Sequence, residues 1–301
     1  MILNIKKMKT QFFQPSKVKR LAFVLAFACI CLITSCTKMR SGDTFTIESN
    51  GINYRCEVIV SHQNYVRITP VTGPGAVTGA ISLPSTVQYD GHTYIVSQVG
   101  ANAFNNYTGI TSVTLPATIS IIEASAFRNC QALTSVNVTT SISVIGDSAF
   151  ANCNRLQSFQ FVTSLSSLGQ ACFRGCSSLA NVNLPPTITA IPADAFYGCS
   201  SITSLQLPST ILQIGDRAFA HCSSLDNIYF DRSVQTIGDS VFMGCNAVQA
   251  ITCLTATPPV CSASTFGTIP VDIPVTVMNS CLTNYQNATG WNRFTNYIGT
   301  Y

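Results

Sequence analysis

The stretch AFRNCQALTSVNV, Ala126–Val138, decides the fold because its pattern returns along the chain every 23 residues. Its cysteine is the first of six at this spacing: Cys130, Cys153, Cys176, Cys199, Cys222 and Cys245. Its phenylalanine is one of seven at the same spacing: Phe104, Phe127, Phe150, Phe173, Phe196, Phe219 and Phe242. No gap is needed to align the units, so the chain contains an internal repeat.

Each repeat predicts one coil of a solenoid. In LTSVNV, the apolar Leu133, Val136 and Val138 alternate with the polar Ser135 and Asn137, as in a half-buried strand. The segment ISVIGDSAF, residues 142–150, predicts a second short extended piece, a turn, and then a short helical or 3₁₀ turn. A coil cannot bury its apolar side alone, so neighbouring coils must stack. The unit length falls within the leucine-rich-repeat range of about 20–29 residues, which predicts a leucine-rich-repeat solenoid with short parallel strands.

The unit LPSTILQIGDRAFAHCSSLDNIYF, Leu207–Phe230, and its sister units resemble the BspA-type leucine-rich repeat family of bacterial surface proteins. The resemblance is strong over residues 95–255, and the flanking segments are similar to the lead-in and closing units of that family. The chain departs from the pattern at Cys172, which replaces an alanine, and in two units that lack the proline after the strand. The resemblance implies a non-enzymatic protein that binds proteins and adheres to host or neighbouring cells.

The segments on either side of the repeats predict caps, because a stack of coils exposes its core at both ends. Alternating stretches such as NYRCEVIV predict strands before the repeats, and Phe266 follows Phe242 by 24 residues rather than 23. The predicted regions are a lipoprotein signal peptide at 1–35, a tether at 36–43, an N-terminal β cap at 44–98, the solenoid at 99–253, and a degenerate repeat with a C-terminal cap at 254–301.

The N-terminal residues predict export. Basic residues precede the apolar run LAFVLAFACICLI, Leu21–Ile33, which is typical of a secretory signal and shorter than the about 20 residues of a membrane span. The run ends in ITSC, Ile33–Cys36, which looks like a bacterial lipobox and implies that Cys36 carries the lipid anchor. The alternatives are an ordinary signal peptide cut nearby and an uncleaved anchor. The predicted location is extracytoplasmic, as a membrane-anchored lipoprotein at the outer membrane or surface of a Gram-negative bacterium.

The charge balance argues against a nucleic-acid partner. Only 9% of the residues are charged, against about 25% in typical soluble domains. Residues 1–35 hold six of the 16 basic residues and no acid, so the remainder has 10 basic and 12 acidic residues and a net charge of −2. No cluster of lysine or arginine remains to neutralise a phosphate backbone.

The sequence does not predict catalysis, a metal or a cofactor. The three histidines are His62, His92 and His221. His221 adjoins Cys222, but the side chains of consecutive residues rarely point into one pocket. The acids that recur at one turn position are Asp147, Asp216 and Asp239, and aspartate suits turn geometry there. Other residues interrupt this row, which disfavours calcium.

The six periodic cysteines are predicted to form a buried stack of free thiols. One thiol per coil places the sulfurs in a line, whereas zinc needs four ligands around a point. Disulfides between adjacent coils would require side chains that point the same way to twist toward each other. A buried free cysteine behaves as a small apolar residue with a weak S–H donor. A disulfide among Cys253, Cys261 and Cys281 remains open, and Cys56 has no evident partner.

Outward positions of the first predicted strand of each unit form uncharged polar rows, which we call the polar face. Its candidate binding residues are Ser135, Asn137, Gln160, Asn181, Asn183, Gln206, Asn227 and Tyr229. Tyr229 is the expected main contact because aromatic anchors dominate interfaces. The predicted function is binding of a protein or extracellular-matrix ligand, and the alternative is a glycan-binding accessory of a polysaccharide uptake system. A face that only keeps the protein soluble is the third interpretation.

Overall fold

The structure is a computed structural model that describes residues 39–60, 63–138 and 141–301. The chain divides into Met1–Arg40 and Ser41–Tyr301, and the elements below belong to the second unit. The predicted signal peptide and Cys36 lie outside the described residues. The strands are β1 Thr44–Ser49, β2 Ile52–Val60, β3 Tyr65–Pro70, β4 Gly79–Ser82, β5 Thr86–Tyr89, β6 His92–Val99, β7 Ile110–Thr114, β8 Ile121–Ile122, β9 Ser135–Asn137, β10 Val144–Ile145, β11 Ser158–Phe159, β12 Ser167–Leu168, β13 Ala190–Ile191, β14 Ser204–Gln206, β15 Gln213–Ile214, β16 Asn227–Phe230, β17 Thr236–Ile237, β18 Ala250–Cys253, β19 Pro274–Met278 and β20 Asn296–Thr300.

Two rows of parallel strands run through the stack of coils. The first row comprises β4-β7-β9-β11 and β14-β16-β18-β19-β20, and the second comprises β6-β8-β10-β12 and β13-β15-β17. Residues 23 apart lie side by side, as Val113, Val136 and Phe159 do in the first row. The predicted solenoid of 23-residue coils is therefore confirmed. We number the coils 1 to 7 by their phenylalanines, from Phe104 to Phe242.

Residues 79–99, which belong to the predicted N-terminal cap, also take part in the parallel rows. Strands β1, β2 and β3 form an antiparallel meander, and β5 and β6 form a hairpin. However, β4 already pairs in parallel with β7, and β6 pairs in parallel with β8. Residues 79–99 therefore form a coil of the stack as well as part of the N-terminal segment, because their apolar residues match the inward positions of coil 1.

A column of phenyl rings forms the centre of the core. Eight rings stack from coil to coil with centroids 5.1–6.1 Å apart and planes within 10° of parallel. The rings belong to Phe104, Phe127, Phe150, Phe173, Phe196, Phe219, Phe242 and Phe266, and all are fully buried. Centroid distances larger than the about 4.8 Å rise between strands indicate offset stacking, the favourable arrangement for aromatic pairs.

The segment around each phenylalanine is a run of turns and not the short helix or 3₁₀ turn that the sequence suggested. In coil 2, the N–H groups of Arg128 and Cys130 donate to carbonyls three residues earlier, whereas those of Phe127 and Asn129 donate to the next coil at 2.7 Å. Ser125 and Asn129 have left-handed φ values of 56° and 60°. This alternation prevents a helix, which needs consecutive right-handed residues, and it directs every second N–H along the stack.

Both strand rows are interrupted at coil 4. No strand forms at residues 181–183, although the sequence predicted one in every coil, and β12 does not pair with β13. In coil 3, Phe159 and Phe161 occupy positions where other coils have mostly aliphatic residues, and their rings contact Phe173 of coil 4 at 5.1 and 5.4 Å. In the second row, Pro192 stands where neighbouring coils have a glycine that donates its N–H to the preceding coil. The bulky phenyl rings therefore explain the interruption of the first row, and the N–H that proline lacks explains the interruption of the second row.

The C-terminal end of the core is covered by aromatic side chains. Trp291 is fully buried and packs edge-on against Phe266 with centroids 4.8 Å apart. Its indole N–H donates to the carbonyl of Pro259 at 3.0 Å. The ring of Phe294 also packs against Phe266, with the two centroids 5.1 Å apart. The described residues contain one α-helix, α1 Leu282–Asn287, and it lies in this terminal segment, as does the 3₁₀ turn Asn279–Cys281. A second 3₁₀ turn, Pro74–Ala76, precedes β4.

The phenyl column makes a quantitative prediction. Replacing Phe173 by alanine should lower the free energy of unfolding by about 3–5 kcal/mol, because the ring is fully buried between Phe150 and Phe196. Urea denaturation followed by circular dichroism measures this change. The control Gln160→Ala, at an exposed position, should change stability by less than about 0.5 kcal/mol. A cost below about 1 kcal/mol for Phe173→Ala would contradict the packing described here.

Candidate functional site

The polar face lies on the first strand row. Ser135 and Tyr229 are half-buried, and the other six candidate residues, Asn137, Gln160, Asn181, Asn183, Gln206 and Asn227, are exposed. Strand register places Ser135 beside Ser158 and places Gln206 beside Tyr229. The interruption at coil 4 leaves Asn181 and Asn183 outside any strand. The structure therefore gathers these residues on one side, in two strand-bound groups joined by an irregular segment.

Most amide groups of the polar face have no partner within the described part of the chain. Asn137 donates to the hydroxyl of Thr114 at 3.2 Å, and Asn227 donates to the carboxylate of Asp226 at 2.9 Å. The side chains that make no hydrogen bond to other described residues are those of Gln160, Asn181, Asn183 and Gln206. The face thus presents donors and acceptors without charge, an arrangement suited to hydrogen bonding with a ligand.

The six periodic cysteines are fully buried and free. Each sulfur lies 3.1–3.4 Å from the carbonyl oxygen of the phenylalanine in the preceding coil, so that the S–H can donate to it. Burial raises the pKa of Cys176 and of Cys245 to about 12. Reactive cysteines need a stabilised thiolate, so these thiols are suited to packing rather than to chemistry.

The structure also separates His221 from the thiol beside it in sequence. His221 is exposed and its ring meets the edge of Tyr197 at 5.1 Å, whereas Cys222 is buried with its sulfur 3.4 Å from the carbonyl of Phe196. The two side chains therefore cannot form a nucleophile and base pair. The cysteines near the C-terminus, Cys253, Cys261 and Cys281, are free in the structure. The sulfur of Cys261 lies 3.2 Å from the carbonyl of Thr289, and burial raises its pKa to about 11.

Two of the three recurring aspartates bind backbone groups of the next coil, and the third, Asp239, accepts from the hydroxyl of Ser264 at 3.4 Å. The carboxylate of Asp147 accepts from the N–H of Gln170 at 2.7 Å, and that of Asp216 accepts from the N–H of Asp239 at 2.8 Å. Among residues 39–60, 63–138 and 141–301, no group of three histidine, cysteine, aspartate or glutamate side chains lies close enough to hold a metal ion. The acid row thus has a structural explanation in the turns.

A cluster of charged and aromatic side chains that the sequence did not predict lies on the turn side of coils 4 to 6, and we call it the arginine cluster. Asp194 accepts two hydrogen bonds from Arg217, at 2.9 and 2.8 Å, and lies 3.2 Å from Arg174. The Arg174 guanidinium lies 4.0 Å above the ring of Tyr197. The hydrogen bonds from Arg217 hold the pKa of Asp194 below its usual value. Asp194 and Arg217 are 23 residues apart, as are Arg174 and Tyr197, so the repeat itself was the signal that could have found these two pairs.

An open groove of about 660 Å³ lies along the second strand row. Its walls include Ile191, Gln213, Thr236 and Val260, and the side chain of Val260 is 72% exposed. The groove holds the backbone around Gly215 and Gly238 and no convergent set of charged groups. It is therefore a weaker candidate for recognition than the polar face.

Comparison with known families settles the relationship of the chain. The model of the BspA type Leucine rich repeat region matches residues 97–223 and 145–266, with six copies of the repeat. Together the two ranges cover more than half of the 301 residues.

The chain belongs to the BspA-type leucine-rich repeat family.

The BspA-type chain is also similar to solved structures of leucine-rich repeat proteins. A leucine-rich cell surface protein from Faecalibacterium prausnitzii is 16% identical, with 87% of this chain and 97% of that chain covered and a TM-score of 0.51. A leucine-rich repeat protein from Bacteroides ovatus is 19% identical, with 85% and 76% covered and a TM-score of 0.48. The leucine-rich repeat protein of T. pallidum is 20% identical, with 86% and 91% covered and a TM-score of 0.45. No curated protein matches the BspA-type chain in sequence.

Within the described part of the chain, no helix has both the length and the apolar character needed to cross a membrane.

The thiol column predicts that the protein loses stability at alkaline pH. A group whose pKa is raised on folding contributes stability below its unfolded pKa, here 9.0, and that stability is lost as the pH rises toward the folded pKa of about 12. Between pH 9 and pH 10.5, the Cys176 thiol alone should lower the free energy of unfolding by about 2 kcal/mol, at about 1.4 kcal/mol per pH unit. Urea denaturation at the two pH values measures the loss.

The variant Cys176→Ala separates this effect from other alkaline effects. Its stability should be lower at pH 8 because the truncation leaves a small cavity. Its further loss on going to pH 10.5 should be smaller than that of the unmodified chain. An equal loss in both proteins would show that the Cys176 thiol is not protected from ionisation by the fold.

Proposed function

We propose that this chain is a lipid-anchored, extracytoplasmic protein that binds a protein or extracellular-matrix ligand on the polar face. The observation that carries the proposal is a set of exposed amides on neighbouring coils, those of Gln160, Asn181, Asn183 and Gln206, which have no hydrogen-bond partner among the described residues. Uncharged amides offer donors and acceptors at a lower desolvation cost than charged groups. Repeat proteins use such extended surfaces for binding.

The dimensions of the polar face suit a segment of a partner protein. From Asn137 to Tyr229 the face crosses four coil-to-coil steps, or about 19 Å at about 4.8 Å per step. Tyr229 lies between Gln206 and Thr252 in the strand register and is half-buried. A tyrosine held in this way loses little conformational freedom when it contacts a ligand, which supports a role as the anchor of the interface.

The lipid anchor rests on the sequence, because Cys36 lies outside the described residues. The lipobox-like ITSC sequence follows an apolar run and supports attachment through this cysteine. Attachment through more than one acyl chain would give stable membrane binding, whereas a single chain is marginal. The predicted tether at 36–43 would separate the binding unit from the membrane and leave the polar face accessible.

A glycan ligand is the second candidate, and the partly exposed ring of Tyr229 beside the amide of Gln206 favours it. Amides can bind sugar hydroxyls, and an aromatic ring can contact an apolar sugar face. Calorimetry against a glycan panel distinguishes the two candidates. Heat of binding that disappears in Tyr229→Ala supports the glycan, whereas no heat from any glycan leaves the protein ligand.

The polar face is tested by adding charge to it. The triple variant Asn137→Glu, Asn183→Glu and Tyr229→Glu should weaken binding to immobilised matrix proteins or host cells by at least about tenfold, because buried carboxylates without partners are costly. The matched control is Ser167→Glu, Gln213→Glu and Thr236→Glu, which adds three charges at exposed positions of the second row. Unchanged binding in the first variant, or an equal loss in the control, would contradict the proposal.

The anchor is tested by metabolic labelling with a fatty acid that carries a reporter group. The unmodified chain should incorporate the label and sediment with membranes, and Cys36→Ala should lose the label and leave the membrane fraction. The control Cys56→Ala changes a buried cysteine of β2 and should retain the label. A labelled Cys36→Ala protein would overturn the assignment of the lipid to Cys36.

A further inference from the structure

The last strand of the first row, β20, leaves one of its edges without a partner. It pairs in parallel with β19 from Asn296 to Thr300, without a bulge. No backbone group of residues 296–300 bonds to any other described segment. Ile298, in the middle of this strand, is 47% exposed. Such an edge is a template for the addition of another strand.

Within the described residues, β20 carries no charged side chain, proline or bulge. These are features that proteins use to prevent pairing at a sheet edge. Residues 273–301 contain one charged residue, Arg293, and its guanidinium donates to the carbonyls of Gly267 and Ile269 at 2.8 Å. At the other end of the protein, the edge strand β1 carries the charged residue Glu48. Beside it, the side-chain amide of Asn50 donates to the carbonyl of Ser82 in β4, the first strand of the first row. Of these two described edge strands, β20 is the one without a charged side chain.

The sequence of β20 is complementary to itself. When two copies lie antiparallel with their Ile298 residues opposite each other, Asn296 faces Thr300, and Tyr297 faces Gly299. The central pair is apolar, and the outer pair joins an amide to a hydroxyl. Gly299 has no side chain to obstruct the opposing tyrosine. Opposed pairs of these kinds stabilise antiparallel strands, and no like charges meet.

We infer that β20 pairs antiparallel with β20 of a second copy of this chain. The interface is isologous, because the same strand contributes to both sides and the twofold axis passes through the paired Ile298 residues. The inference is independent of the ligand proposed above, since it rests on an edge that the polar-face residues do not form. It commits to a second copy because the register brings complementary residues together at every position of the strand.

Pairing in this register would join the polar faces of the two copies. Ile298 lies beside Thr276, which lies beside Thr252, which lies beside Tyr229. The first strand row would therefore continue from one copy into the other through the β20 pair. A ligand that repeats along its length could then contact both copies, which raises the apparent affinity without a new type of contact.

Cysteine cross-linking of the full chain in membranes tests the register. Opposed residues in antiparallel strands have Cα atoms about 4.5–5.5 Å apart, within the range that a disulfide bridges. Under mild oxidation, Ile298→Cys should give a dimer that reduction reverses. The double variant Asn296→Cys with Thr300→Cys should also give a dimer. Asn296→Cys alone, Thr300→Cys alone and the unmodified chain should not give one. A cross-link from Ile298→Cys only to another protein would overturn the inference.

Sedimentation velocity provides a second measurement on residues 41–301, which form one compact unit with its own aromatic core. The unmodified unit should show a dimer whose fraction rises with concentration. Ile298→Lys places two like charges on the twofold axis and should weaken association by at least about tenfold. Leu212→Lys, at a side chain 38% exposed in the second row, should associate as the unmodified unit does.

Melting followed by circular dichroism verifies that both lysine variants are folded. A unit that stays monomeric up to hundreds of micromolar, or a dimer that Ile298→Lys leaves unchanged, would overturn the inference. A dimer that forms while ligand binding by the polar face is absent would support this inference and contradict the proposed function, so the two failures are distinguishable.

Discussion

The stacking of coils in one register is the constraint on which the rest of the structure depends. Every second N–H of the turn segment leaves its own coil and donates to a carbonyl of the next, as Phe127 does to Ala149 at 2.7 Å. A shift of one residue would leave these groups unpaired and would move the phenyl rings out of their column. Hydrogen bonds between coils and the packing of identical side chains therefore favour the same register, which explains why seven units repeat without a gap.

This register also explains the cysteines. The position three residues after each phenylalanine points into the core beside the carbonyl of the preceding coil, as with Cys130 and Phe104 at 3.1 Å. In coils 2 to 7 this position suits a small, apolar side chain that can donate weakly to an oxygen, whereas coil 1 holds Tyr107 there. Cysteine meets these conditions, whereas serine would bring a more strongly hydrated hydroxyl into the core. The periodic thiols are thus a packing solution, even though the spacing first suggests chemistry.

The stack tolerates local departures because its interactions are redundant. At coil 4 both strand rows are interrupted, but the turn hydrogen bonds continue: the N–H of Phe173 donates to Ala195 at 2.9 Å. The phenyl column also continues, with 5.7 Å between the centroids of Phe173 and Phe196. The interruption changes the polar face, because Asn181 and Asn183 lie outside any strand and are not aligned with their neighbours by strand pairing.

The sequence alone determined the repeat, the coil length and the inward positions, because a fixed period of 23 residues assigns each residue to the core or the surface wherever it recurs. It also indicated the outward rows that form the polar face. Only the tertiary structure decided where strands fail to form, since the effect of Phe159, Phe161 and Pro192 depends on the coil packed above them. It likewise decided the left-handed turns and the open edge of β20, because both depend on how the backbone groups of neighbouring coils pair.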